Sequence, residues 1–250
     1  MNDLVTDVKS LEIETLKNLR SSKANNTLRA YKADFRDFAL FCQQNGLKSM
    51  PSEPKILTIY LTHLSKTSKF STLKRRLASI SVIHKLNGHY LDTKHPIITE
   101  NLLGIKRSKG TYQKAKKPIL INDLKLIINV INQDKKQNLR IKNKALILIG
   151  FAGGFRRSEL VEINYEDIEF VSEGVKIFVK KSKTDQSGEG MTKGIPYFSN
   201  PDYCPVVSLK KWINEKQIKS GKIFDMSDKN VALTLKKYAA IAGLDESKYS

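Results

Sequence analysis

The first hundred residues carry the hydrophobic pattern of amphipathic helices. Apolar positions recur every three or four residues, which is the spacing of one buried helix face. The stretches with this pattern are residues 26–46, 55–67 and 71–88. Phe35 and Phe38 are interpreted as core residues rather than as a platform for stacking bases. His84 continues the third stripe and is interpreted as a packed residue rather than a ligand.

The second half of the chain combines helical and strand patterns. Helices are predicted over residues 121–133, 138–154, 156–163, 205–217 and 230–243. Residues 167–186 read as a β-hairpin and residues 193–198 as a third strand, because apolar residues alternate there between turn signals. The predicted fold is therefore mostly α with a small β-sheet, an α+β class.

The two halves meet at residues 106–118, KRSKGTYQKAKKP, which are polar, basic and without a period. Such a stretch is typical of a linker. We therefore predict a helical domain over residues 1–110 and a mixed domain over residues 118–250.

Charge narrows the class of partner. The formal net charge is +19, and the excess is shared: residues 1–112 carry 19 cations and 9 acids, and residues 113–250 carry 25 and 16. A basic excess of this size is typical of proteins that bind a polyanion, most commonly nucleic acid. The alternative is a solvated lysine-rich surface, since 35 of the 44 cations are lysine.

Other features exclude several classes. No apolar run approaches transmembrane length, and the acidic N-terminus lacks a signal-peptide pattern. Cys42 and Cys204 lie far apart, without a CxxC spacing, which favours a reduced, cytoplasmic protein without a zinc site. We expect no membrane partner and no metal.

The segment GFAGGFRRSELVEI, residues 150–163, contains the most informative charges. On a helix, Arg156 would share a stripe with Leu160 and Ile163, so its guanidinium would need an anionic partner. That partner is either a phosphate or Glu159 one turn on. In the second case the pair merely braces a helix start, and Arg157 is a surface cation.

The third predicted helix also has a basic flank. Lys74, Arg75 and Arg76 fall largely off its apolar stripe, so the helix can pack on its back and present these cations to a phosphate backbone.

These motifs together resemble the tyrosine recombinase (phage integrase) family. AGGFRRSELVEINYEDI resembles the family's first catalytic box, and VKKSKTDQSGEG resembles the turn that carries its catalytic lysine. NTLRAYKADFRDFALFC and STLKRRLASISVIHKLNG are similar to its helical, SAM-like core-binding domain. The resemblance covers nearly the whole chain from about residue 20.

The resemblance implies a role for several residues of the box. Arg156 would clamp the oxygens of the scissile phosphate in the transition state. Glu159 would hold that guanidinium, and Asp167 would buttress the box. Arg157 is a further candidate contact to the DNA backbone.

The hairpin supplies the second implied group. Lys183 would be the general acid that protonates the departing 5′ oxygen. Lys180 and Lys181 are weaker candidates for that role, with Lys181 also a candidate DNA contact.

The family's chemistry implies the reaction and its partners. A tyrosine hydroxyl attacks the phosphodiester, giving a 3′-phosphotyrosine and a free 5′-hydroxyl, and strand exchange and religation follow. The phosphotyrosine conserves the bond energy, so no cofactor is expected. The partners would be double-stranded DNA and further copies of the recombinase, which form a tetrameric synapse in the family.

The chain also departs from the family pattern. No Arg follows Arg157 and no His follows His95, so the family's second box, His-x-x-Arg, is missing. None of the remaining tyrosines stands in the order expected of the nucleophile, so no nucleophile is assigned. We therefore expect a catalytic domain that is C-terminally incomplete and inactive alone.

Three hypotheses follow from this departure. In the first, a separate C-terminal fragment completes the enzyme. In the second, the chain is a non-catalytic DNA-binding remnant of an integrase. In the third, it is a basic RNA-binding or structural protein with a chance RRSEL sequence.

Overall fold

A computed structural model describes residues 7–21, 25–111, 118–180 and 189–249. The chain divides into two compact units, Met1–Gln113 and Lys114–Ser250. The predicted class is confirmed, because the described residues are mainly helical with one small antiparallel sheet.

The first unit is built from helices. They are α1 (Val8–Ser21), α2 (Asn25–Gln44), α3 (Pro54–Ser65), α4 (Phe70–Leu86) and α5 (Pro96–Lys109). The three predicted helices are present as α2, α3 and α4. The predicted linker boundary at residue 106 is wrong, because α5 runs on to Lys109. The buried stripe of α5 ends at Ile105, and the helix continues for one further turn whose basic residues suit the negative end of the helix dipole.

The core of this unit lies between α2, α3, α4 and α5. Phe38, Leu57, Leu73 and Ile98 are fully buried in it. The interpretation of His84 as a packed residue is confirmed. Its Nε2 accepts the Ser52 backbone N–H at 3.0 Å, and its Nδ1 lies 2.8 Å from the Ile80 carbonyl oxygen. This pattern requires the neutral ring with its hydrogen on Nδ1.

The second unit holds five helices and three strands among its described residues. They are α6 (Ile121–Asn132), α7 (Gln137–Ala152), α8 (Arg157–Leu160), β1 (Ile168–Val171), β2 (Gly174–Val179), β3 (Met191–Pro196), α9 (Pro205–Lys216) and α10 (Asp228–Ile241). The strands pair in the antiparallel order β1-β2-β3. The third strand begins two residues earlier than predicted, because Met191 and Thr192 still pair with β2.

Helix α7 is the central element of this unit. It is buried along most of its second half, from Ala145 to Ile149, and it packs with α9 and the sheet in one apolar core. It ends in the turn Gly153–Gly154. Gly154 has a φ of +54°, which favours glycine, and a β-carbon on Gly153 would collide with the Phe155 ring. The two glycines therefore let the chain reverse tightly and start α8.

Candidate active site

Arg156 stands immediately before α8, outside the helix. Its φ and ψ of −66° and 148° are extended, which makes it the N-cap residue. The predicted helical stripe of Arg156 with Leu160 and Ile163 is therefore wrong. The short helix begins one residue later, and the first turn is closed by a capping interaction rather than by burial of the arginine.

Glu159 forms that capping interaction and also holds the guanidinium. Its Oε2 accepts the Arg156 backbone N–H at 3.0 Å, and its Oε1 accepts an Nη1 hydrogen of the same residue at 2.6 Å. The Glu159 side chain is 4% exposed and that of Arg156 is 46% exposed. A buried carboxylate requires such a partner, and in return it orients a guanidinium that still faces solvent.

Lys193 of β3 also reaches this carboxylate. Its Nζ lies 3.8 Å from Glu159 Oε2 and donates to the carbonyl oxygens of Gly153 and Gly154 at 2.9 and 3.1 Å. It sits 4.5 Å from the centroid of the Phe155 ring. Sequence reasoning missed this residue. The sequence signal for it was its spacing from Ile195. Residues two apart in a strand lie on the same face, so Lys193 occupies a position where an apolar side chain is expected.

Asp167 braces the segment that follows α8. Its Oδ2 accepts the Asn164 backbone N–H at 3.0 Å, and its Oδ1 pairs with Lys180 Nζ at 2.8 Å. Lys180 is thus tied to a buried carboxylate at the end of β2. Lys181 and Lys183 lie outside the described residues.

Arg157 does not share the contacts of its neighbour. It is exposed and lines an apolar groove of about 300 Å³ together with residues of α7 and α10. It remains a candidate contact to a DNA backbone.

The cations predicted on α4 have different surroundings. Lys74 is exposed, whereas Arg75 and Arg76 both pair with Asp34 of α2. Arg76 also donates to Asp37 at 2.8 Å and is only 17% exposed. A substantial part of the predicted basic flank is therefore neutralised by carboxylates of its own unit.

The hydroxyl groups of two tyrosines downstream of the box form hydrogen bonds inside the fold. The Tyr238 hydroxyl donates to Asp134 at 2.7 Å and accepts from Asn143 at 3.0 Å. The Tyr249 hydroxyl donates to Asp123 at 3.0 Å. Both side chains are buried. Neither hydroxyl is presented to solvent near the arginine box.

The described residues contain neither a candidate metal site nor a membrane-spanning helix. No group of three or more His, Cys, Asp or Glu residues there could hold a metal ion. No helix in that part of the chain is long and apolar enough to cross a bilayer.

A helical unit followed by an α+β unit with an arginine box is the architecture of the tyrosine recombinases. Several solved structures share this fold, including the following two. XerH site-specific recombinase bound to palindromic difH substrate matches with a TM-score of 0.60 and 14% identity, over 80% of this chain and 58% of that one. A lambda integrase dimer bound to a COC′ core site matches with a TM-score of 0.54 and 19% identity, over 95% and 79%.

Sequence comparison identifies the family. An integrase/recombinase XerD homolog of Selenomonas ruminantium is 39% identical over 264 residues, covering 100% of this chain and 77% of the relative. Tyrosine recombinase XerC of Staphylococcus aureus is 26% identical, over 68% of this chain and 55% of its own length. No family model matches. The chain belongs to the tyrosine recombinase family.

Proposed function

We propose that this protein acts in site-specific DNA recombination by the tyrosine recombinase mechanism. It would bind double-stranded DNA in the cytoplasm, with no cofactor, and would assemble with further copies on the DNA. Residues 1–110 would be the core-binding domain and residues 118–250 the catalytic domain.

The observation that carries the proposal is the way in which Glu159 orients the Arg156 guanidinium. Arg156 Nη1 of this half-exposed guanidinium donates to Oε1 of the buried Glu159 carboxylate at 2.6 Å, beside the turn that ends α7. A planar guanidinium held in one orientation can donate to two phosphate oxygens and stabilise the charge that develops on them. Family membership makes the scissile phosphate the natural ligand.

The general acid remains Lys183 in this proposal. A lysine ammonium beside the phosphate can protonate the 5′ oxygen as the P–O bond to it breaks. Glu159 orients Arg156, and Asp167 braces the adjacent turn through Asn164 and Lys180.

We also propose that residues 1–250 do not cleave DNA alone. Within this sequence, no Arg follows Arg157 and no His follows His95. Tyr238 and Tyr249 are buried with bonded hydroxyls. The second box and the nucleophile would then come from residues outside 1–250. The second candidate, a DNA-binding remnant without activity, is favoured by the same two buried tyrosines.

A covalent-adduct assay tests the reaction. Duplexes selected by the chain from a random pool would be nicked at each position in turn and labelled at the 5′ end of the cleaved strand, which stays joined to the protein. We expect no protein–DNA band on a denaturing gel from the chain alone, because a missing nucleophile removes the covalent route. A fused or separate segment carrying a His-x-x-Arg box and a tyrosine should produce the band. Arg156→Ala should then reduce it on the order of a hundredfold or more.

The controls separate the two candidates. Lys176→Ala, on the exposed face of β2, should leave the band intact. A band from the unaided chain would contradict the absence of a nucleophile. Duplex binding without a band under any addition would favour the remnant.

A further inference from the structure

Lys193 occupies an inward position of the sheet. In the β2–β3 register it faces Ile177, and Ile195 faces Val175. Residues directly opposite in an antiparallel pair project to the same face, and Ile177, Val175 and Ile195 are all buried in the core of this unit. The Lys193 side chain is accordingly only 17% exposed. Placing an ammonium group there is costly unless its hydrogens are matched by acceptors.

Among the described residues, the acceptors of Lys193 belong to the segment that presents Arg156. They are the carbonyl oxygens of Gly153 and Gly154 and, at longer range, the Glu159 carboxylate. The Phe155 ring lies beneath the same ammonium. One side chain from a strand some 40 residues away therefore contacts the turn before Arg156 and the carboxylate after it.

The two carboxylate oxygens of Glu159 have different partners. Oε1 accepts the Arg156 guanidinium, while Oε2 accepts the Arg156 backbone N–H and faces Lys193. Lys193 thus stabilises Oε2, the oxygen that holds the Arg156 backbone N–H, while Oε1 orients the Arg156 guanidinium. Without the ammonium, the buried carboxylate would depend on Arg156 more heavily and the turn would lose two bonds.

We propose that Lys193 is a positioning residue for Arg156: it ties β3 to the Gly153–Gly154 turn and to Glu159, and so holds the guanidinium in its phosphate-binding orientation. The ligand class, a phosphodiester oxygen, rests on the proposed function. The positioning itself does not.

The test observes Arg156 directly, without DNA. In protein labelled with ¹⁵N-arginine, the Arg156 Nε–H signal is assigned by its loss in Arg156→Lys. Lys193→Met keeps the length of the side chain and removes the charge. We expect it to shift this signal and to speed its hydrogen exchange about threefold to tenfold, because one charge-assisted contact of the cluster is lost. Lys193→Arg should largely restore the wild-type signal. Lys176→Met, on the outer face of β2, should leave it unchanged.

Thermal melting of the same variants separates positioning from simple stabilisation. A lower Tm of Lys193→Met with an unmoved Arg156 signal would overturn the proposal and leave Lys193 as a cap of α7. If Lys193→Met does not fold, the unmodified protein still decides. Its Lys193 ammonium should exchange slowly and show a nuclear Overhauser effect to the Phe155 ring, and the absence of both would overturn the proposal. A shifted Arg156 signal with no covalent DNA adduct, even when a segment carrying a His-x-x-Arg box and a tyrosine is supplied, would refute the proposed reaction and leave the positioning role standing.

Discussion

Arg76 and Lys74 lie two residues apart on α4, yet their surroundings predict different phenotypes. Arg76 Nε lies 3.2 Å from Asp34 Oδ1, and the Asp34 side chain is 5% exposed. Lys74 is exposed, with its ammonium 5.8 Å from the Phe70 ring centroid. A cation that neutralises a buried carboxylate stabilises the fold, whereas an exposed cation is available to a phosphate.

Arg76→Ala should lower the free energy of unfolding by about 3 kcal/mol, since it leaves a buried carboxylate with one charged partner fewer. Lys74→Ala should change it by less than about 0.5 kcal/mol and should weaken duplex binding instead. Urea denaturation and a binding titration of both variants provide the measurement. We expect Arg75→Ala to weaken binding too, because the Arg75 side chain is 48% exposed, whereas Arg76→Ala should act through stability. An unchanged urea midpoint for Arg76→Ala would contradict this reading of α4.

At the scale of elements, the Tyr238 hydroxyl links α10 to α7 and to the end of α6. Its hydroxyl joins Asp134, just after α6, to Asn143 of α7. The hydrogen bond from Tyr238 is the main cause that lowers the pKa of Asp134, and burial raises the pKa of Tyr238 itself. The contact therefore stabilises the ionised form of Asp134 in the folded unit.

Tyr238→Phe should destabilise the second unit by about 1–3 kcal/mol at pH 7, because the buried Asn143 and the partly buried Asp134 each lose a hydrogen bond. A depressed folded pKa contributes stability above the unfolded pKa of Asp, about 3.9, and this contribution is lost as the pH falls through the folded value. The difference between wild type and Tyr238→Phe should therefore shrink from pH 7 to pH 3 in urea denaturation. Tyr203→Phe, which removes a hydroxyl bonded to Asn129 nearer the surface, is the matched control and should cost less. A difference that stays constant with pH would exclude the Asp134 linkage.

At the scale of the whole molecule, the net charge of +19 is the dominant feature. Both halves are basic, so DNA affinity should not depend on one tail or one helix. Polyanion binding of this kind releases counterions from the DNA, which makes the logarithm of the affinity fall linearly with the logarithm of the salt concentration.

We expect duplex affinity to fall about a thousandfold between 50 and 200 mM salt if some six phosphates are contacted. Fluorescence anisotropy with a labelled duplex across that range gives the slope. Lys74→Ala should reduce the slope of log affinity against log salt by the equivalent of about one phosphate contact. Lys193→Met should leave the slope unchanged, because the Lys193 ammonium is turned inward. An affinity that is flat across this range would rule out a phosphate-dominated interface.

The sequence by itself determined the class of the fold and the family. Apolar stripes at helical spacing located α2, α3 and α4, and alternation located the sheet, because both signals are set by neighbours within a few residues. The arginine box was visible for the same reason: Arg156, Glu159 and Asp167 are close in the chain. The start of the linker at residue 106 was mispredicted, because α5 continues through the polar residues 106–109 beyond its last buried position, Ile105.

Only the tertiary structure decided which charges are available and which are held. Arg75 and Arg76 meet Asp34 across about 40 positions of sequence, and Tyr238 meets Asp134 across 104. Lys193 reaches the turn before Arg156 from a strand that the local pattern places but does not orient toward any partner. The cost of burying a charge depends on acceptors brought together by packing, and those acceptors come from distant parts of the chain, so no window of the sequence contains them.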